Sequence, residues 1–170
     1  MKYSFKSFWL LLLGCVLITS CIDDDPEEGS IQLKAGDSLP SFSVKMNDGQ
    51  IMTHESLKGK TSVIVFFNTG CKDCQQELPV LQRVFAAYPQ INWVCISREE
   101  KEESIKIFWT EQGITLPYSA QEDRAVYYLF AKSGIPQVFI VDKNAIIRRV
   151  FSDSPLATYE DLVQAIETTF

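Results

Sequence analysis

Cys71 and Cys74, three residues apart in "NTGCKDCQQELP" (Asn68–Pro79), follow the apolar run "TSVIVFF" and open a segment with helical patterning. Such a pair can cycle between dithiol and disulfide, supply half of a zinc site, or pack as two small apolar residues. As a structural staple, a C-x-x-C loop closes too few residues to constrain the unfolded chain much. Zinc needs more ligands than are at hand. Outside the N-terminal segment the only other thiol is Cys95, and the single histidine, His54 in "MTHES", has no spacing partner. Cys95 sits in the β-rich run "INWVCIS", where a cysteine is ordinarily a small buried hydrophobe. No metal is therefore expected.

Position favours redox chemistry. A cysteine at the first turn of a helix meets free N–H groups and the positive end of the dipole, so a thiolate at Cys71 is favoured. The thiolate is the attacking species. Lys72 adds a positive charge beside it and Asp73 offsets part of that charge. Leu78, Leu81, Phe85 and Tyr88 recur at helical spacing and predict a buried stripe, which Pro79 interrupts with an expected kink. Glu77 follows Cys74 by three residues and shares its helix face. Its carboxylate is placed to accept the Cys74 proton when that thiol must attack, the alternative being a solvated surface glutamate.

The elements that must hold these residues alternate. Strands are predicted over 41–46, 50–53, 61–68, 91–97, 138–142 and 146–151, with a short segment over 116–119. Helices are predicted over 71–88, 101–112, 125–132 and 159–170. Alternation of this kind predicts an α/β sandwich around a mixed sheet, closed by an antiparallel hairpin. No internal repeat is present, and 170 residues suit a single domain.

The first 20 residues read differently. Lys2 and Lys6 precede an unbroken apolar run from Phe8 to Ile18, then Thr19 and Ser20, which describes an export signal too short to span a bilayer comfortably. "ITSC" (Ile18–Cys21) resembles the lipobox of bacterial lipoproteins, which makes Cys21 the expected lipid anchor. An ordinary cleavage signal and a retained membrane helix are the alternatives. "IDDDPEEGS" then suits a flexible acidic tether. The expected division is a lipoprotein signal peptide over 1–20, a tether over 21–33 and one domain over 34–170. Several acyl chains would hold that domain stably at a membrane. Asp23, Asp24 and Asp25 also resemble a surface-export signal of some Gram-negative lineages, which leaves periplasm and cell surface both open for an outer-membrane protein. Loss of Lys2 and Lys6 takes the formal charge from −6 to −8. No basic patch or aromatic-interleaved basic run points to a nucleic-acid partner.

"FFNTGCKDCQQELP" followed by "SGIPQVFIVDKNAIIRRV" resembles thioredoxin-fold proteins of the TlpA/ResA type, within the wider AhpC/TSA and redoxin superfamily. "AGDSLPSFSVKMNDGQIMTHESLKGK" resembles their N-terminal β extension, so the likeness covers roughly residues 34–170. It implies a three-layer α/β sandwich, with Cys71 as exposed nucleophile, Cys74 as resolving cysteine and Glu77 as the acidic residue that tunes both. Ile135–Pro136 falls where the fold keeps a cis-proline, and Gly70, Ile135 and Pro136 become the expected substrate contacts. Backbone at Ile135 would pair with an extended substrate segment. Three departures stand out: Gly70 replaces the usual tryptophan, Val65 replaces a polar or acidic residue, and Asn144–Ala145 replaces a glycine-bearing turn.

The resemblance implies a membrane-anchored thiol–disulfide oxidoreductase that reduces disulfides of exported proteins and is recharged by an upstream electron donor. The thiols themselves carry the electrons, so no cofactor is expected. A surface-exposed binding module that keeps the fold without catalysis is one alternative. A peroxiredoxin-like peroxidase is another, but its signature Pro and Thr positions here hold Ile64 and Asn68.

Overall fold

The computed structural model describes residues 31–170; the expected signal peptide, Cys21 and residues 22–30 of the expected tether lie outside the described residues. The central element is β3 (Ser62–Phe67), whose six residues are all buried. A strand covered on both faces needs apolar side chains on both, which is why "SVIVFF" shows no alternation. β3 pairs in parallel with β4 (Asn92–Ser97) and antiparallel with β6 (Gln137–Val141). β5 (Tyr118–Ser119) flanks β4 and β7 (Ile147–Phe151) flanks β6, giving the order β5-β4-β3-β6-β7. β1 (Ser43–Lys45) and β2 (Ile51–Thr53) form a separate antiparallel hairpin.

Register assigns the layers. Phe67 stacks on Trp109 of α2 (Glu102–Gln112), with ring centroids 4.9 Å apart. Trp93, paired with Val63 on that same face, meets Phe85 of α1 (Lys72–Ala87) at 5.7 Å. α3 (Tyr159–Glu167) packs on α1, where the Tyr88 hydroxyl donates to Glu167 at 2.7 Å. Phe66 points the other way, to Tyr127 and Phe130 at 5.5 and 4.9 Å, and Phe42 of the N-terminal extension closes on Phe130 at 5.5 Å. The fold is a thioredoxin-like three-layer α/β sandwich: helices, mixed sheet, and a layer built by the extension with the 120s segment.

That third layer corrects one expectation. Residues 125–132 form no α-helix, only a 3-10 turn at Tyr127–Leu129. Tyr127, Phe130 and Ala131 are buried there by the sheet and the extension rather than along one helical face. Three α-helices result among the described residues, not the four expected there, and α3 ends at Glu167 instead of Phe170.

The extension also covers both sheet edges, which would otherwise offer unpaired backbone to other chains. Asn47 exchanges hydrogen bonds with Tyr118 of β5 at 2.7 and 3.0 Å. Gly36 and Asp37 bond Ile147 of β7 at 2.8 and 2.9 Å. Residues 31–33 of the expected tether dock as well: Leu33 is buried and its N–H reaches the Phe130 carbonyl at 2.9 Å.

Candidate active site

The site forms where β3 runs into α1. Cys71 is the N-cap of that helix, with extended backbone (φ −83, ψ 124), and the Cys74 N–H donates to its sulfur at 3.5 Å. An N-cap acceptor satisfies one of the N–H groups that the first turn leaves without a helical partner, and here the acceptor is the sulfur itself. Cys71 is half-buried and Cys74 completely buried; neither is bonded to the other or to Cys95, which is also buried.

α1 runs unbroken through Pro79. The proline withholds a donor from the Gln75 carbonyl, but both residues are exposed, so water can take its place. The inward stripe is Cys74, Glu77, Leu78, Leu81 and Val84, with Phe85 and Tyr88 half-buried at its margin. Glu77 is thus not the solvated glutamate that its residue type alone would favour: it is 2% exposed. Its Oε1 accepts the Ala157 N–H at 3.2 Å, while Oε2 has no hydrogen-bond partner. Desolvation pushes this carboxyl up to about 7, against the lesser pull of the Ala157 N–H. Desolvation also drives the Cys74 thiol far above its ordinary range, and the Cys71 and Glu77 charges add to that shift. Val65 is fully buried on β3, so the acidic position it replaces contributes no second carboxylate. The other buried carboxylate among the described residues, Asp142, is paired with Arg148 in the β6–β7 turn.

β6 begins beside the C-terminal end of β3, because the antiparallel register sets Phe66 opposite Gln137. The Ile135–Pro136 bond is cis, and the Ile135 carbonyl lies 3.5 Å from the Cys71 sulfur. Sequence reasoning missed the supports of this loop. The Tyr127 hydroxyl donates to the Gly134 carbonyl at 2.8 Å, and Gly134 takes φ +79 with the Asp153 carboxylate crowding the place a Cβ would take. Gly134, two residues before Pro136, is the one local signal for these contacts, and no pattern points to Tyr127 or Asp153.

The expected site residues Gly70, Cys71, Cys74, Glu77, Ile135 and Pro136 therefore fall into one neighbourhood, with Gly70 exposed at its rim. A groove of about 380 Å³ between α1 and residues 156–160 borders Glu77 from the side of α3. A larger cavity of about 620 Å³ lies between the β6–β7 turn and α3 and borders none of these residues.

The sheet order, the cysteine at the helix cap and the cis-proline beside it define a thioredoxin-fold protein of the TlpA/ResA thiol–disulfide oxidoreductase type. The chain belongs to the AhpC/TSA family, which matches residues 35–150. It is similar to the thiol-disulfide oxidoreductase ResA of Bacillus thuringiensis, 20% identical over 138 residues, covering 79% of this chain and 80% of that one. Among solved structures it resembles a thio-disulfide isomerase from Thermus thermophilus, 26% identical with a TM-score of 0.65, over 81% of this chain and 97% of that one. A thiol:disulfide interchange protein of the thioredoxin family from Chlorobium tepidum superposes with a TM-score of 0.68 at 24% identity, over 82% and 99% of the chains.

Proposed function

We propose that the chain reduces disulfides of exported proteins through a Cys71/Cys74 couple, held at a bacterial membrane by a lipid on Cys21. The observation that carries this reading is the asymmetry of the two thiols. Cys71 is reachable and capped by the Cys74 N–H, whereas Cys74 is sealed beneath it beside a buried carboxyl. Cys71 thiolate attacks one sulfur of a substrate disulfide, forming a mixed disulfide and releasing the substrate's other sulfur as a thiol after it takes a proton. Glu77 then accepts the Cys74 proton, and the Cys74 thiolate attacks Cys71. The Cys71–Cys74 disulfide forms, the second substrate thiol leaves, and an upstream dithiol donor restores the starting state. The groove bordering Glu77 offers a way for its proton to reach solvent away from the bound substrate.

Ile135, Pro136 and Gly70 are the proposed substrate contacts: the loop carrying Ile135 abuts the attacking sulfur, where an extended segment can pair with backbone. No helix among the described residues is long and apolar enough to cross a membrane.

The test is the equilibrium between dithiol and disulfide at Cys71–Cys74 in graded glutathione buffers. A reversible couple near about −270 mV supports a reductant, whereas a value near about −120 mV would recast the protein as an oxidant. A pair that cannot be cycled while the fold persists would leave a binding module.

A further inference from the structure

Cys71 is held from α1 on one side. What fixes the residues just before it is a set of contacts from a distant part of the chain. Glu100, in the loop between β4 and α2, accepts both the Thr69 N–H, at 2.9 Å, and the Thr69 hydroxyl. Its neighbour contributes too, since the Glu99 carbonyl accepts from Asn68 Nδ2 at 3.0 Å. Inside the loop, the Asn68 side chain accepts the Gly70 N–H at 2.8 Å and the Asn68 carbonyl accepts the Cys71 N–H at 3.1 Å. Gln75 reaches back to the Thr69 carbonyl at 2.7 Å.

Glu100 is itself anchored. Its N–H donates to the Gln121 carbonyl at 2.6 Å, Gln121 is tied to Ser97 and Ser119, and Ser119 bonds the Lys45 carbonyl of the extension at 2.7 Å. Glu99 pairs with Arg124 in the same region. A half-buried carboxylate that takes both donors of one residue fixes that residue in position and orientation, because charge-assisted bonds are short and directional. Gly70 has no side chain with which to wedge the loop in place, so hydrogen bonds alone hold it, and the Glu100 carboxylate supplies the charge-assisted pair among them.

We propose that Glu100 is a positioning residue for the reaction: by gripping Thr69 it sets the turn from which the Cys71 sulfur is presented to the α1 N-terminus and to the Ile135 carbonyl. The inference rests on the couple proposed above. Loss of the grip lets Asn68–Gly70 relax, and the Cys71 sulfur loses the fixed approach of the Cys74 N–H.

The test measures two quantities at one pH on folded protein: the rate of Cys71 alkylation by iodoacetamide, followed by peptide mass mapping, and the glutathione equilibrium constant. Glu100→Ala, which removes both acceptors, should slow alkylation roughly tenfold, the effect expected for losing a hydrogen bond to a charged group; Thr69→Val, which keeps the Thr69 N–H bond, should slow it by less, and both should shift the equilibrium. Glu100→Gln should restore most of the rate, because an amide offers Thr69 an acceptor for its N–H and a partner for its hydroxyl. Glu103→Gln, which removes an exposed charge from α2, should change nothing. Wild-type rates in Glu100→Ala would overturn the proposal, and so would a Glu100→Gln variant as slow as Glu100→Ala, since charge alone would then be at work. If Glu100→Ala does not fold, Thr69→Val decides, and an unaltered rate there overturns the clamp. Disulfide turnover surviving in Cys71→Ser would sink the couple instead and leave the alkylation comparison intact.

Discussion

The sulfur of Cys71 lies 3.5 Å from the carbonyl oxygen of Ile135, a residue 64 positions further along the chain. β3 delivers the first and β6 the second, and their antiparallel pairing makes the two meet. A segment bound along the Ile135 backbone would therefore present its own sulfur to Cys71. Cys71→Ser should abolish disulfide reduction. Cys74→Ser should attack normally and accumulate a mixed disulfide with substrate, visible as a stable mass adduct; its absence would remove Cys74 from the resolving role.

Exposure separates the three described thiols. Cys71 is half-exposed, while Cys74 and Cys95 are buried and both are pushed far above the ordinary thiol range, chiefly by desolvation. Brief iodoacetamide treatment of native protein at pH 7.5 should label Cys71 alone among them, read by peptide mapping. Equal labelling of Cys74 would contradict the sealed position.

Glu77 makes stability depend on pH in a signed way. Its folded-state value of about 7 exceeds the ordinary 4.5, so the folded state binds more protons between those values. Stability should fall as pH rises from about 4.5 through about 7 and then level off. Glu77→Gln, which keeps an acceptor for the Ala157 N–H, should be more stable than wild type at pH 8.5 by up to about 3 kcal/mol. The gain should vanish near pH 4, and the same variant should resolve mixed disulfide more slowly. Parallel melting curves at the two pH values check the sign.

Two backbone positions predict opposite shifts in Tm. Ala145 sits in the β6–β7 turn at φ +61, where a Cβ costs roughly 1–2 kcal/mol, so Ala145→Gly should stabilise by up to about 1 kcal/mol after the added chain entropy. Gly134 has φ +79, and an added Cβ would stand 3.1 Å from the Asp153 carboxylate. Gly134→Ala should destabilise by about 1–2 kcal/mol and slow turnover, since it distorts the loop bearing Ile135. Thermal melts of the pair read both signs.

The strand and helix order was legible because the chain's patterns are local: a continuous apolar run for a strand buried on both faces, helical spacing after Cys71, and alternating elements that leave few topologies. The C-x-x-C pair pointed to its proposed chemistry through residue type and position at a strand–helix junction. Residues 125–132 misled because their apolar side chains are buried by the sheet on one side and the extension on the other, so their spacing mimics a helix that never forms. Glu77 was legible as a neighbour of Cys74, but only packing against residue 157 decided that it is buried and half unpaired, and desolvation by that packing shifts its proton affinity. Nothing local announces Glu100 or Tyr127, whose partners lie 31 and 7 residues away and are chosen by the sheet order. Spacing and type thus determined which atoms can react; long-range contacts, invisible to any local pattern, decided which of them are dry, held and within reach.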